Sequence, residues 1–375
     1  MRVLFATTAN LGHFGPVVPF AHACARAGHE VRVCVPESFV DTVRTAGLTP
    51  VPLGEPAPGE RGPLLARLPS LSRQDADQVV VRDLFAGVDA RAALPAMERA
   101  VDGFRPDLVV RELAEFASYA VARRRGVPQL EIAIGLAATG SAVAGMLDDA
   151  LDALGCDGSG LLTTPVATVV PERLDSPATR PTRRYRYQPP PADDLGLPDV
   201  PGEGPLVYAS FGTVAAALPP FAGAFRALVD AVADRPVRVL LTGGAAGDAD
   251  LTAPPNVRVE RYWPQQDVMP HAAVVIGHGG FGTTMTALAH GVPQVVVPLF
   301  AVDQFLNAEA VARAGAGVAV DPPGGITPEA IGAALDAVLS DDRCRVAAQR
   351  LSADMAALPL PDSAVFDRAA YRPGT

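Results

Sequence analysis

The chain contains no lysine, because all 31 of its basic residues are arginines. A lysine Schiff base, a phosphate-binding lysine of the Walker type and a lysine general base are therefore excluded. Proton transfer falls to six histidines and 41 carboxylates. These carboxylates outnumber the arginines and give a net charge of −10, so we do not expect a partner among nucleic acids or anionic membranes.

Cysteine and long apolar runs are also scarce. The four cysteines are scattered without Cys-x-x-Cys spacing, which disfavours a structural metal site and favours buried thiols in a reducing compartment. No stretch approaches the ~18 apolar residues of a membrane-spanning helix, and the apolar run after Arg2 is too short for a signal peptide. We therefore expect a cytoplasmic protein with no membrane span and no metal site.

The chain is rich in hydrophobic residues, which make up 49% of its 375 residues. Short apolar runs such as 3–7 and 205–210 alternate with helical patterns in both halves, which predicts two doubly wound parallel-sheet domains. At ~150 residues per domain, two domains also fit the length. We predict domains at 1–190 and 205–355, a Pro-rich linker at 191–204, and a segment at 356–375 that packs back on the first domain.

A glycine-rich turn lies between a strand pattern and a helical pattern in the second half. Residues 277–282, GHGGFG, match G-x-G-x-x-G, and Thr283 and Thr284 follow. Glycines let the backbone approach an anion, and the start of the next helix attracts negative charge. The spacing, with Asp303 about 20 residues further on, favours a nicotinamide dinucleotide. However, the turn follows roughly the fourth strand of its domain, and His278 adds a donor for a phosphate charge.

Two strand ends near this turn carry further candidates. Tyr262 and Trp263 could form a stacking shelf for a planar base, although a tryptophan that covers a core explains them equally well. Asp303 and Gln304 could hydrogen-bond sugar hydroxyls, or Asp303 could cap the next helix.

In the first half, His13 follows the first strand within a Gly-rich segment, 10–15, which we interpret as a loop. Ligands of doubly wound sheets bind at the carboxyl ends of strands. An imidazole with an ordinary pKa of about 6.5 is suited to general base catalysis near neutral pH. A loop-capping histidine is the alternative.

Four separate blocks, in this order, resemble the GT-B glycosyltransferases of family 1, above all those of antibiotic biosynthesis in actinobacteria. They are YWPQ at 262–265, HGGFGTT at 278–284, GVPQ at 291–294, and DQ with NA at 303–308. Further segments of the chain also resemble the family: MRVLF with GH at 1–13, AGHEV at 27–31, SFGT at 210–213 and MAALP at 355–359. The resemblance covers essentially the whole chain. It implies the GT-B fold, in which two Rossmann-like domains face a central cleft.

The resemblance also assigns roles. It implies that His13 is the catalytic base, that Glu112 is its carboxylate partner with Glu115 as the fallback, and that the first domain binds the acceptor. It further implies that the second domain holds a nucleotide-sugar, with an aromatic residue on the base and His278 on the diphosphate. The implied nucleotide-sugar site consists of Ser210, Gly212, Thr213, Tyr262, Trp263, Gln265, His278, Gly279, Gly280, Gly282, Thr283, Thr284, Asp303 and Gln304.

One position departs from relatives that use UDP-glucose. Their glutamate on the ribose hydroxyls is replaced here by Thr286, which makes a weaker contact than a bidentate carboxylate. A thymidine nucleotide has no 2′-hydroxyl, so the departure favours a dTDP-activated deoxysugar. Thr286 as a helix surface residue is the alternative.

We therefore expect an inverting O-glycosyltransferase that needs no metal and no cofactor beyond its dTDP-sugar co-substrate. Its acceptor would be a small hydrophobic natural product with walls that include Phe14, Phe85 and Ile134, although core packing explains each of these residues too. The alternatives are a UDP-sugar-dependent or C-glycosylating enzyme of this fold, an NAD(P)-dependent oxidoreductase and a silent sugar-binding protein. A monomer and a homodimer both remain open.

Overall fold

The computed structural model describes residues 1–68, 71–175, 177, 179–190, 192–212, 221–243, 253–320 and 325–367. The chain divides into two compact units. The first contains Met1–Val170, Asp175–Arg186 and, at the C-terminal end of the described chain, residues 359–367. The second contains Pro171–Leu174 and Tyr187–Leu358.

The first unit is built around a parallel β-sheet. Its described strands are β1 (Arg2–Ala6), β2 (Glu30–Pro36), β3 (Pro50–Leu53), β4 (Leu108–Glu112), β5 (Gln129–Ile132), β6 (Val166–Thr168) and β7 (Thr182–Arg184). They lie in the order β3-β2-β1-β4-β5-β6-β7. Val3, Leu4 and Phe5 of the inner strand β1 are fully buried, as parallel sheets require of an inner strand.

Helices bury the apolar side chains of this sheet. The described helices are α1 (Leu11–Arg26), α2 (Val40–Thr45), α3 (Pro58–Arg67), α4 (Arg73–Gln78), α5 (Ala90–Phe104), α6 (Phe116–Arg125), α7 (Ala137–Ala144) and α8 (Asp148–Ala153). A π-helix, Val79–Asp89, joins α4 to α5. On α5, Met97, Val101 and Phe104 recur at helical spacing and are buried in the core.

The second unit repeats the arrangement. Its described strands are β8 (Leu206–Ser210), β9 (Arg238–Thr242), β10 (Val257–Glu260), β11 (Val274–Gly277), β12 (Gln294–Val296) and β13 (Gly317–Ala319), in the order β10-β9-β8-β11-β12-β13. Its helices are α9 (Ala222–Val232), α10 (Gln265–Val268), α11 (Phe281–Ala289), α12 (Val302–Arg313), α13 (Pro328–Ser340) and α14 (Asp342–Ala357). Phe211 and Phe225 meet edge to face in its core, with ring centroids 5.0 Å apart.

The predicted fold class, two Rossmann-like parallel-sheet domains, is confirmed. In both sheets the order reverses beside the first strand of the unit, which is the switch point where such sheets bind ligands. Within the described ranges, no helix combines the length and the hydropathy needed to cross a membrane.

The contacts of 192–204 differ from those of the extended linker that its composition predicts. Leu195 N donates to Asp267 Oδ2 at 2.9 Å, and Val200 is buried in an apolar cluster of the second unit. One passage of the chain from the first unit to the second follows Arg186, whose N–H donates to Pro359 O within the first unit. The segment 192–204 is therefore part of the second unit, because it makes its contacts there.

Candidate active site

His13 lies on a helix and not on a loop. Asn10 caps α1, and its Oδ1 accepts a hydrogen bond from Gly12 N at 2.7 Å. The segment 10–15 therefore forms the start of the helix, which corrects the loop that we interpret from its glycines. This cap places His13 in the first helical turn, just beyond the carboxyl end of β1.

The imidazole of His13 meets the predicted carboxylate. Glu112 ends β4, the neighbour of β1 in the sheet. Its Oε1 lies 3.3 Å from His13 Nδ1, and the His13 side chain is 19% exposed while that of Glu112 is fully buried. A carboxylate at Nδ1 leaves Nε2 as the ring nitrogen that can take a proton from a substrate.

Hydrogen bonds keep Glu112 ionised despite its burial. Burial acts to raise the pKa of Glu112, but the neighbouring His13 and two backbone N–H groups lower it below the ordinary range. The N–H of Thr8 donates to Oε1 at 3.1 Å, and that of Ala114 donates to Oε2 at 2.6 Å. Backbone donors stabilise the charged form of a carboxylate in this way.

The fallback residue, Glu115, has a different task. Its carboxylate accepts hydrogen bonds from Ala117 N at 3.2 Å and Ser118 N at 2.9 Å, so it caps α6. Burial raises the pKa of Glu115. Glu112, and not Glu115, is therefore the carboxylate beside His13.

The predicted acceptor residues separate into three environments. Phe85 lies on the π-helix, and its ring centroid is 5.6 Å from that of His13. Phe14 is 3% exposed and packs edge to face on Phe39, so it belongs to the core. Ile134 lines a different pocket, beside Glu131. Phe85 is therefore the acceptor candidate whose ring lies against His13.

A pocket in the first unit opens next to the His13–Phe85 contact. Its walls include Thr8, Phe85, Arg61 and Asp89. Arg61 Nε donates to Asp89 Oδ1 at 2.8 Å. Burial raises the pKa of Asp89, although the Arg61 hydrogen bond opposes that shift. The wall therefore combines an aromatic ring with an ion pair.

In the second unit, the glycine turn runs from the end of β11 to the start of α11. Gly279 adopts a φ of +83°, and a Cβ there would lie 2.7 Å from Gln304 O. Asn307 Nδ2 donates to Gly279 O at 2.7 Å, so α12 holds the turn. Gly280 caps α11, whose first N–H groups have no acceptor within the helix.

His278 lies folded over this turn between two glycines. A Cβ on Gly212 would be 2.8 Å from its Cε1, and a Cβ on Gly280 would be 2.4 Å from its Nε2. Burial lowers the pKa of His278 to about 4. A hydrogen bond to the Ser210 backbone acts in the opposite direction but is the smaller effect. Its Nδ1 is buried and has no hydrogen-bond partner in the described ranges. At neutral pH the imidazole is therefore neutral.

The two adjacent aromatic residues have different surroundings. Tyr262 is 68% exposed. Trp263 donates its Nε1–H to Gly196 O at 3.0 Å, and the Arg258 guanidinium lies 5.8 Å from its ring centroid. Tyr262 is thus free to stack on a base, whereas Trp263 is held by the second unit itself.

Several of the predicted donor-site residues make contacts within the protein. Gln265 Nε2 donates to Thr283 Oγ1 at 2.9 Å. Gln304 is 3% exposed, and its Oε1 accepts from Leu299 N at 2.9 Å and Phe300 N at 3.1 Å. The side-chain oxygen of Gln304 therefore holds the backbone before α12.

The remaining predicted residues differ in exposure and in description. Thr284 is buried, Gly282 is exposed, and Asp303 is half-buried in the first turn of α12, where Ala301 is the cap. Ser210 Oγ accepts from Gly212 N at 3.3 Å. Thr213 lies outside the described residues.

Thr286 is not on the helix surface. It is 2% exposed, and its Oγ1 lies 2.9 Å from Tyr187 Oη. The sequence alone assigns no role to Tyr187, Asn307 or Thr8. Asn307 stands in the block at 303–308 that carries the resemblance. Thr8 is a polar residue at the carboxyl end of a strand, where ligands of such sheets bind.

Residues 226–370 match the C-terminal domain of the erythromycin biosynthesis protein CIII-like family. Over 384 residues the chain is 34% identical to L-demethylnoviosyl transferase of Streptomyces niveus, and the match covers 96% of each chain.

Solved structures agree with this relationship. The glycosyltransferase VinC, solved in complex with dTDP, is 26% identical with a TM-score of 0.76, and the match covers 100% of each chain. The glycosyltransferase SsfS6 of Streptomyces sp. SF2575, complexed with thymidine diphosphate, is 27% identical with a TM-score of 0.74 over 98% of each chain. Both are glycosyltransferases, which favours sugar transfer over the oxidoreductase alternative.

Proposed function

The chain belongs to the family of antibiotic glycosyltransferases, and we propose that it transfers a deoxysugar from a dTDP-sugar to a hydroxyl of a small natural-product acceptor. The observation that carries this proposal is the contact between His13 and the ionised, buried Glu112. A histidine oriented by a carboxylate is a competent general base for a hydroxyl group.

The first unit would activate the acceptor. His13 Nε2 takes the hydroxyl proton while the acceptor oxygen forms a bond to the anomeric carbon. The bond from that carbon to the diphosphate oxygen breaks, dTDP leaves, and the configuration is inverted because attack is in line. Glu112 stabilises the imidazolium that forms, without becoming protonated itself.

The second unit would bind the donor and stabilise the leaving group. The free N–H groups at the start of α11 attract a diphosphate without a charged side chain, and the neutral His278 packs on the turn that carries them, between Gly212 and Gly280. We propose that these donors make a divalent cation unnecessary, so transfer rates should be equal in EDTA and in Mg²⁺.

Thymidine nucleotides are the proposed donors for two reasons. Thr286 offers no carboxylate for a ribose 2′-hydroxyl, and its own hydroxyl is already paired with Tyr187. VinC and SsfS6 were solved with thymidine diphosphate. We therefore expect dTDP to raise the melting temperature more than UDP, GDP or NAD(P), because a ligand of the native state stabilises it by mass action.

Replacing His13 tests the chemistry. We expect His13→Gln to lower the release of dTDP, with a phenolic acceptor such as 7-hydroxycoumarin, by about 10²–10⁴-fold, while dTDP still raises the melting temperature. His22→Gln on the same helix is the matched control and should keep wild-type activity. Unchanged transfer by His13→Gln would remove His13 from the mechanism, and a larger thermal shift with UDP would overturn the choice of nucleotide.

A further inference from the structure

Thr8 lies between the end of β1 and the cap of α1, and it contacts both members of the His13–Glu112 pair. Its Oγ1 is 3.0 Å from His13 Nδ1, and its backbone N–H donates to Glu112 Oε1 at 3.1 Å. The direct approach of Nδ1 to Glu112 Oε1 is longer, at 3.3 Å. Charge-assisted N–H···O bonds are normally about 2.7–2.9 Å long, so Glu112 alone holds the imidazole loosely.

The direction of the Thr8 hydrogen bond follows from the charge of Glu112. An ionised carboxylate only accepts hydrogen bonds, and the N–H groups of Thr8 and Ala114 that donate to Glu112 favour its ionised form. A lone pair on His13 Nδ1 would face the carboxylate oxygen and be repelled, so the proton of the neutral ring belongs on Nδ1. The Thr8 hydroxyl oxygen then accepts from Nδ1–H, and Nε2 carries the lone pair that a base needs.

We propose that Thr8 is a positioning residue for the base. Its hydroxyl and Glu112 share the Nδ1–H of His13, while its own N–H holds the carboxylate oxygen in place. With both Thr8 Oγ1 and Glu112 Oε1 accepting from His13 Nδ1–H, the orientation of the ring and its tautomer are restricted more than by the long contact to Glu112 alone. This inference rests on the proposed role of His13 as a base.

Two variants separate the hydroxyl from the rest of the residue. Thr8→Val keeps the shape and the backbone N–H but removes the hydroxyl, whereas Thr8→Ser keeps the hydroxyl and loses only a methyl group. We expect Thr8→Val to lower kcat about tenfold, as the loss of one hydrogen bond to a charged transition state would, with an unchanged KM for the acceptor. Thr8→Ser should stay close to the wild type.

Nitrogen NMR supplies a readout that a purely structural role would not change. In protein labelled with ¹⁵N-histidine at about pH 8, where an ordinary imidazole is neutral, His13 should carry its proton on Nδ1 in the wild type and in Thr8→Ser. In Thr8→Val a fraction should shift to the Nε2–H tautomer. If Thr8→Val does not fold, Thr8→Ala makes the same comparison.

The outcomes distinguish the two hypotheses. If Thr8→Val keeps both the wild-type kcat and the wild-type tautomer while His13→Gln is inactive, the role of Thr8 is refuted and the base stands. If His13→Gln is itself active, the proposed role of His13 as the base is refuted, and the role of Thr8 that rests on it is refuted too. A wild-type tautomer with the proton on Nε2 would also overturn the inference, because the hydroxyl would then be the donor.

Discussion

The candidate base site in the first unit is formed by side chains, whereas the glycine turn in the second unit is formed by backbone. The base site is a pair of ionisable side chains, His13 and Glu112, that the sheet brings within 3.3 Å. The glycine turn is backbone, shaped by Gly279 and Gly280 around a histidine whose pKa burial lowers to about 4. One site therefore places an imidazole beside an anion, and the other presents uncharged backbone N–H groups.

Because of this difference, we expect the two sites to be sensitive to different kinds of substitution. A side-chain pair depends on charge and on hydrogen-bond geometry, so an isosteric change of one atom should disable it. A backbone cradle depends on space and on φ, so one added methyl group should disable it. Substitutions at both sites, and an acid titration of the second, test this contrast.

The largest effect is expected at Glu112. Glu112→Gln should lower kcat by about 10²–10⁴-fold, because an amide cannot stabilise the imidazolium as an anion does. Glu115→Gln is the matched control, since Glu115 is also buried but caps α6. Glu115→Gln should lower the free energy of unfolding and leave kcat unchanged. Steady-state kinetics measure kcat, and urea denaturation measures the free energy of unfolding. Equal losses of kcat in Glu112→Gln and Glu115→Gln would contradict the different roles given to the two carboxylates.

Gly279→Ala should act through the backbone. The positive φ of Gly279 and the close approach to Gln304 O oppose a Cβ, and we expect a loss of roughly 2–3 kcal/mol in the free energy of unfolding. A Cβ on Gly282 would meet nothing within 4 Å, so Gly282→Ala should be neutral or stabilising. Urea denaturation compares the two, and a harmless Gly279→Ala would mean that the turn does not require glycine.

His278 should make the fold sensitive to acid. Its pKa is about 4 in the folded protein and near 6.5 when unfolded, so the unfolded chain binds more protons between these values. The free energy of unfolding therefore falls as the pH is lowered through this window. Between about pH 7.5 and about pH 5 the wild type should lose about 2 kcal/mol more than His278→Gln. Equal losses would place the His278 pKa near its ordinary value.

The smallest effect separates the neighbouring aromatic residues. Tyr262→Ala should weaken dTDP binding by about 1–3 kcal/mol, the usual value of one stacked base, with little change in stability. Trp263→Phe should lower the melting temperature instead, because it loses the hydrogen bond to Gly196 O. Calorimetric titration and thermal melting compare them, and the reverse pattern would exchange the two roles.

The fold could be predicted because its signals are local. Buried strands such as β1 and β8 are continuous apolar runs, and helical patterns separate them, which is how two parallel sheets appear in a sequence. The two glycines of 10–15 predict a loop, whereas Asn10 caps a helix that begins at Leu11. The contacts that 192–204 makes within the second unit could not be predicted, because composition cannot show which surface an extended chain covers.

The site could be predicted only in part. His13, Glu112, His278 and the glycine turn came from motif and resemblance, and these residues remain predictions for function. The burial of Phe14 on Phe39 could not be foreseen, because it depends on where a distant helical turn packs. The contact of Phe85 with His13 depends on a π-helix, whose register has no recognisable sequence pattern.

The sequence by itself determined the class of the protein: a chain without lysine, with two alternating α/β halves and a glycine turn before a helix. Only the tertiary structure decided which carboxylate faces His13, which aromatic side chain is exposed and which threonine hydroxyl lies within hydrogen-bond distance of the imidazole. The physical reason is distance along the chain. Periodicity and glycine placement act between neighbours, whereas the His13–Glu112 contact joins residues that follow or end two strands that the sheet places side by side.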